Sequence, residues 1–224
     1  MRDFFSPEKG ILETEGKLGS ISKKESCSLL LISDTHGATD YIEEIITRFT
    51  PEVDGVIFSG DCAADFIQFV QKAFDKNSPD LPDLFIIVQG NGDDSNYKLK
   101  KPQTGETVFI SLPIVKKIKI AGINFLITHG HKHHVSYGTE DLYKIMETES
   151  CTIGIFGHTH KQYYQEQGGI ILINPGSISL PRGGDEPGFA LLEIKEDKKA
   201  TTFYSIEHSG LGKELSFKIK ARYF

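Results

Sequence analysis

The stretch Ser28-Leu29-Leu30-Leu31-Ile32-Ser33-Asp34-Thr35-His36 decides the fold. Its first six residues form a nearly continuous apolar run that ends in a polar turn. A run of that length without alternation is the mark of a strand buried on both faces, as at the centre of a parallel sheet. Directly after it, Tyr41, Ile42, Ile45, Ile46 and Phe49 are spaced for one face of a helix over 41–49. Val53 to Phe58 is a second buried strand, Ala63 to Phe74 a second helix and Leu84 to Val88 a third strand. Strand-helix-strand-helix-strand predicts a parallel, layered α/β core.

Beyond Val88 the pattern changes. Thr107 to Ile110, Val115 to Ile120 and Asn124 to Thr128 read as strands with little room for helices between them, and Ala121-Gly122 as a tight hairpin turn. Asp141 to Glu147 is a short helix and Thr152 to Phe156 another buried strand. Two further hairpins follow, Gln162 to Gln167 with Ile170 to Ile173, and Gly188 to Ile194 with Thr201 to Ile206 through Lys195 to Lys199. Ser216 to Arg222 alternates as a last strand. The expected fold is a four-layer α/β/β/α sandwich, two mixed β-sheets flanked by helices, over residues 27–224. Residues 1–26 lack clear periodicity and read as an appended N-terminal extension, with Phe4, Phe5, Ile11 and Leu12 able to dock on the body.

The chemistry lies at the ends of the apolar runs. Seven of the eight histidines follow such runs, beside Asp, Asn and Gly, and only His208 does not. The blocks are Asp34-Thr35-His36, Gly60-Asp61, Gly90-Asn91, Thr128-His129-Gly130-His131 and Gly157-His158-Thr159-His160. In α/β sheets, sites form beyond the carboxyl ends of the strands, so all five blocks converge on one edge. Imidazoles, carboxylates and an amide oxygen are the donors that two adjacent divalent ions need.

The ordered set Asp-x-His, Gly-Asp, Gly-Asn, His and Gly-His-x-His resembles the calcineurin-like metallophosphoesterase superfamily. With Asn174-Pro175-Gly176-Ser177 behind it, the chain resembles the small single-domain YfcE-type phosphodiesterase branch, from roughly Ser28 to Glu207. The resemblance implies two divalent metal ions, with Mn first and Fe, Ni, Zn or Co as alternatives. One would be held by Asp34, His36, Asp61 and His160, the other by Asp61, Asn91, His129 and His158. Asp61 would bridge them, and a bridging hydroxide would attack phosphorus in line. Asn91, His131 and Arg182 are candidate substrate-binding residues. The phosphoprotein-phosphatase branch has His after the Gly-Asn pair as a general acid, and the small phosphodiesterases commonly Cys. Here that position is Gly92, followed by Asp93. Asp93 or His131 stands as a substitute proton donor, and a preference for low-pKa leaving groups is expected. A phosphomonoesterase remains an alternative. So does a non-catalytic protein-binding scaffold, because the retromer subunit of this superfamily is similar in pattern; every ligand position filled by the matching residue type favours the enzyme.

Composition bounds the partners. The chain has 224 residues with 38% hydrophobic and 25% charged content, enough for one well-formed core. A net charge of -6 argues against bulk nucleic-acid binding and leaves a small phosphodiester or nucleotide as the expected substrate. Three cysteines do not make a disulfide framework. With no signal-peptide core and no membrane-spanning run, a cytoplasmic location without membrane attachment is expected. A homo-oligomer is compatible with the sequence. Cys62 reads as a small buried hydrophobe, and Lys116, Lys117 and Lys119 as a solvated strand edge.

Overall fold

A computed structural model describes residues 4–6, 8–75, 81–101, 104–196, 198–208 and 215–224. Residues 1–3 and 7 of the expected N-terminal extension, and residue 197 of the last hairpin turn, lie outside them. In chain order the elements are β1 (Phe4–Phe5), β2 (Ile11–Thr14), α1 (Lys17–Ile21), β3 (Ser26–Ile32), α2 (Thr39–Phe49), β4 (Gly55–Phe58), α3 (Ala63–Asp75) and β5 (Leu84–Ile87). Then come β6 (Asn96–Lys100), β7 (Thr107–Ser111), β8 (Val115–Ile120), β9 (Ile123–Thr128), α4 (Glu140–Thr148) and β10 (Ile153–Ile155). The chain closes with β11 (Gln162–Gln167), β12 (Ile170–Pro175), β13 (Gly188–Lys195), β14 (Lys198–His208) and β15 (Leu215–Tyr223).

Two mixed sheets stack face to face, in the orders β1-β2-β5-β4-β3-β13-β14-β15 and β11-β12-β10-β9-β8, while β6 and β7 form a separate ribbon. Alternation along the central strands explains the layers. Leu30, Ile32, Val56, Phe58, Phe85 and Ile87 face α2 and α3 in one core. Leu29, Leu31, Ile57 and Ile86 face the other way and meet Phe125, Ile127, Ile153, Ile155 and Ile173 of the second sheet. Leu126 and Leu172 pack beneath α4 with Leu142 and Met146. The four-layer α/β/β/α arrangement follows, because each sheet is apolar on both faces and needs a cover on each. No helix among the described residues is long and apolar enough to cross a membrane.

The N-terminal segment docks on the body through Ile11 and Leu12: β2 pairs antiparallel with β5, and both residues are fully buried. Buried Glu13 accepts the backbone N–H of Leu18 and so caps α1. Lys116 is buried rather than solvated. Its ammonium donates to the Lys9 carbonyl at 2.8 Å and pairs with Glu8 at 3.1 Å, which ties β8 to the N-terminal segment. The strand β6 was not foreseen, because its sequence Asn-Tyr-Lys-Leu-Lys offers one fully buried side chain, Leu99.

Candidate metal centre

Parallel pairing sets the site. β3, β4 and β5 run parallel, as do β9, β10 and β12, so their carboxyl ends share an edge. The loops there are joined by Asp34 N–H to Gly60 C=O at 3.0 Å and Gly157 N–H to His129 C=O at 3.1 Å. Across the two sheets, the His158 N–H donates to Asp34 Oδ2 at 3.2 Å. Glycine allows this closeness. A Cβ on Gly90 would stand 2.5 Å from Asp61 Oδ1, and one on Gly157 would stand 2.1 Å from Ser33 Oγ.

Asp34, His36, Asp61 and His160 each bring one ligand atom within 4.8 Å of the others. His36 Nε2 and His160 Nε2 are 3.3 Å apart, and His160 Nε2 is 3.3 Å from Asp34 Oδ1. Donors sharing one ion at about 2.0–2.2 Å stand about 3–3.5 Å apart, so this spacing fits a bound divalent cation. His129 Nε2 lies 3.6 Å from Asp61 Oδ2 and 3.9 Å from Asp34 Oδ1. Among the described residues, neither His129 Nε2 nor Asp34 Oδ1, both buried polar atoms, has a hydrogen-bond partner. Such orphans are costly unless a cation completes them.

The surrounding carbonyls aim the rings. His129 Nδ1–H donates to the Ser59 carbonyl at 2.8 Å and His160 Nδ1–H to the Leu180 carbonyl at 2.6 Å. A carbonyl only accepts, so each Nδ1 keeps the proton and each Nε2 lone pair faces the centre. Burial raises the Asp34 carboxyl, and in the metal-free protein it falls below its ordinary range only where His160 and His129 carry protons on Nε2; with those lone pairs bare, the carboxylate needs a cation instead. Asp34, His36, Asp61, His158 and His160 all have positive φ, between 42° and 69°. Left-handed backbone costs a non-glycine residue about 1–2 kcal/mol, and its concentration here marks a functional constraint.

A calcineurin-like phosphoesterase superfamily domain matches residues 28–197. The chain belongs to that superfamily. Among its relatives, a probable metallophosphoesterase YsnB of Bacillus subtilis is 29% identical over 178 residues, 79% of this chain and 90% of that one. The phosphodiesterase YfcE of Escherichia coli is 22% identical over 175 residues, 74% of this chain and 86% of that one. The solved structure of vacuolar protein sorting 29 from Cryptosporidium parvum shares the fold, with a TM-score of 0.64 at 18% identity over 88% of this chain and 98% of that one. The chain is thus a member of a superfamily of metal-dependent phosphoesterases and is similar to YfcE, with an Asp/His cluster suited to a divalent ion.

The remaining candidates of this superfamily member are placed as follows. Asn91 is exposed, between Gly90 and Gly92, on the loop that touches Asp61. The Gly92 N–H donates to Asp61 Oδ1 at 2.7 Å, and a Cβ at Gly92 would stand 3.2 Å from the same oxygen. Asp93 does not present a free carboxyl. Its oxygens accept the N–H groups of Asp61 at 2.9 Å, Ala63 at 2.7 Å and Gly90 at 2.8 Å. Burial raises its pKa against those three bonds. This geometry makes Asp93 a clamp between two ligand loops.

His131 stands beside His129 and His158, with ring centroids 5.5 and 6.2 Å away. Burial lowers its pKa to about 4. Arg182 donates its backbone N–H to the His160 carbonyl, and its side chain is exposed. Cys62 is half-buried rather than a core hydrophobe, with Sγ 3.7 Å from His36 Nδ1.

Further side chains support the site. The Ser177 hydroxyl donates to the Asp34 carbonyl at 2.6 Å, and Asn174 Nδ2 donates to the Gly157 carbonyl at 2.8 Å. Asp65 accepts from the Thr35 hydroxyl and the Gly37 N–H at 2.9 and 2.7 Å. The Asn-Pro-Gly-Ser run signalled the first two. Nothing local signalled Asp65, which sits in the first turn of α3.

Proposed function

We propose that this chain is a phosphodiesterase with a dinuclear metal centre. The observation that carries the reading is the orphaned, fully buried His129 Nε2, which faces Asp61 and Asp34 beside the four-residue cluster. That cluster accounts for one ion. A second, held by Asp61, Asn91, His129 and His158, gives the orphan a partner and Asp61 a bridging role. The mixed N/O donor set accepts Mn, with Fe, Ni, Zn or Co as alternatives. When bound, two divalent ions supply an activated water and the Lewis acidity for in-line displacement at phosphorus.

The protein's own groups do the positioning. The Ser59 and Leu180 carbonyls orient His129 and His160. The Gly92 N–H holds one Asp61 oxygen, and Asp93 holds the two loops in register. With glycine at position 92 and Asp93 engaged by backbone, no side chain here is poised to protonate a poor leaving group. That supports a preference for low-pKa leaving groups. The name of the YfcE relative supports a diester over a monoester. Cys27, Cys62 and Cys151 are free thiols, which supports a reducing, cytoplasmic setting. The binding-platform reading has the intact ligand set against it.

The test is hydrolysis of bis-p-nitrophenyl phosphate beside p-nitrophenyl phosphate, after chelation and again after Mn is restored. Metal-restored turnover of the diester, with little on the monoester, is the expected result. Two bound ions per chain without turnover of either ester overturns the enzyme reading. Full metal content and full turnover in Asp61→Asn overturns the shared-carboxylate reading.

A further inference from the structure

Next to the metal centre lies a cavity of about 790 Å³, within the range of small-ligand sites. It opens beside the ligands, because Thr159, between His158 and His160, lines it. Phe156, Tyr143 and Tyr163 supply an aromatic wall, with the Phe156 and Tyr163 rings edge-on at 5.7 Å. On β11 the Gln165 amide accepts from the Tyr163 hydroxyl and donates one N–H to Gln167 Oε1 at 3.1 Å, which leaves its second N–H for a ligand. The Tyr143 hydroxyl is buried and has no hydrogen-bond partner. Burial raises its pKa to about 12, so the group stays an O–H donor.

Two cations flank the mouth. Lys161 follows His160, and its stem crosses Gly183, where an added Cβ would meet Lys161 Cε at 2.6 Å. Arg182 is the neighbour of Gly183 and also lines the cavity. Among the described residues neither side chain forms an ion pair, so both cations are available to an anion in the cavity. On the opposite rim Glu140 lies over Gly138, a carboxylate placed to accept hydroxyl protons. Tyr137, between two residues that line the cavity, is 93% exposed, an aromatic face free to stack.

We propose that this cavity is the specificity pocket for a nucleoside phosphodiester. The base would lie against the aromatic wall within reach of the Gln165 amide and the Tyr143 hydroxyl, the sugar hydroxyls would meet Glu140, and the phosphate would lie between the cations and the metal ligands. The proposal rests on the phosphoesterase reading and names its substrate class. An anion alone needs no aromatic wall, and a glycerol-type diester leaves the wall and the amides unused. Hydrolysis consumes one water. Its oxygen forms the new bond to phosphorus, the bond from phosphorus to the leaving oxygen breaks, and one proton from water goes to the leaving group or solvent. The products are a nucleoside monophosphate and an alcohol.

The test compares thymidine 5′-(p-nitrophenyl phosphate) with methyl p-nitrophenyl phosphate on the Mn-loaded full chain. The leaving group is the same and only the retained group differs. The expected ratio of kcat/KM in favour of the thymidine ester is tenfold or more. It falls severalfold in Tyr143→Phe, which removes one hydroxyl, and further in Gln165→Ala. A ratio near one in the wild type, or a ratio that both variants leave unchanged, overturns the pocket. If neither ester turns over although two ions are bound, the phosphoesterase reading fails separately. Calorimetric titration of the metal-free protein with thymidine monophosphate then decides the pocket. Binding weakened by Tyr143→Phe supports it, and absence of binding overturns it.

Discussion

Gly157→Ala is the sharpest test of how the two sheets are brought together. The added methyl would stand 2.1 Å from Ser33 Oγ, 2.9 Å from Asp34 Oδ2 and 3.2 Å from His129 Nδ1. Gly157 is not in the left-handed region, so the cost is steric rather than conformational. Ser33, Asp34 and His129 are fully buried and cannot swing into solvent. Ordinary contact begins at 3.4 Å, so the loops after β3 and β10 must part by more than about 1 Å. Overpacking of this kind costs about 1–3 kcal/mol. For a chain of this size each kcal/mol moves the melting midpoint by about 2–4 °C, so the metal-free variant should melt about 2–12 °C lower. Displacing Asp34 from His129 by about 1 Å should also cost about 100-fold in turnover and reduce the metal retained after gel filtration. Gly19→Ala is the matched control. It lies inside α1 with nothing within 4 Å of the added Cβ, and it should stabilise by about 0.5–1 kcal/mol. Scanning calorimetry and elemental analysis of both variants decide the matter. A Gly157→Ala protein with wild-type midpoint and full metal content would refute the close-approach argument.

Three further outcomes follow from particular contacts. Asp93→Asn replaces one acceptor oxygen by an amide that faces N–H donors; it should cost about 1–3 kcal/mol in urea unfolding and lower metal content. Intact stability and metal with a lost alkaline limb in the pH–rate profile would instead restore the proton-donor role. Lys116→Met removes the tie to Lys9 and Glu8, so amide exchange in β2 should accelerate while the rest of the large sheet keeps its protection; unchanged exchange argues that the tie contributes nothing. Burial depresses the pKa of His131, His133 and His158. The unfolded chain therefore binds more protons below the ordinary histidine range, and the metal-free protein should lose stability as pH falls from about 6.5 toward 4. His131→Gln should flatten that slope in urea titrations, and an identical slope would show that His131 does not contribute.

Much of this protein is legible along the chain. The unbroken apolar run at β3, the one-sided spacing in α2 and α3, and the ligand blocks after each central strand are local signals. A buried strand must be apolar on both faces, and a ligand must follow it directly. Those signals suffice for the layer order and for Asp34, His36, Asp61, Asn91, His129, His158 and His160 as candidates. Tertiary structure decided the rest, because the partner in each case lies far off in sequence. Lys116 reads as part of a solvated edge until the N-terminal segment covers β8, and nothing local marks Glu13 as buried before β2 joins β5. Asp93 looks like an available acid until the loops after β4 and β5 direct three N–H groups at it. The cavity between α4 and β11 has no sequence signature, since Tyr143, Gln165 and Arg182 share a wall only when the chain turns at His160. Residue type and period are properties of a short segment. The satisfaction of a buried polar atom depends on which distant segment closes over it.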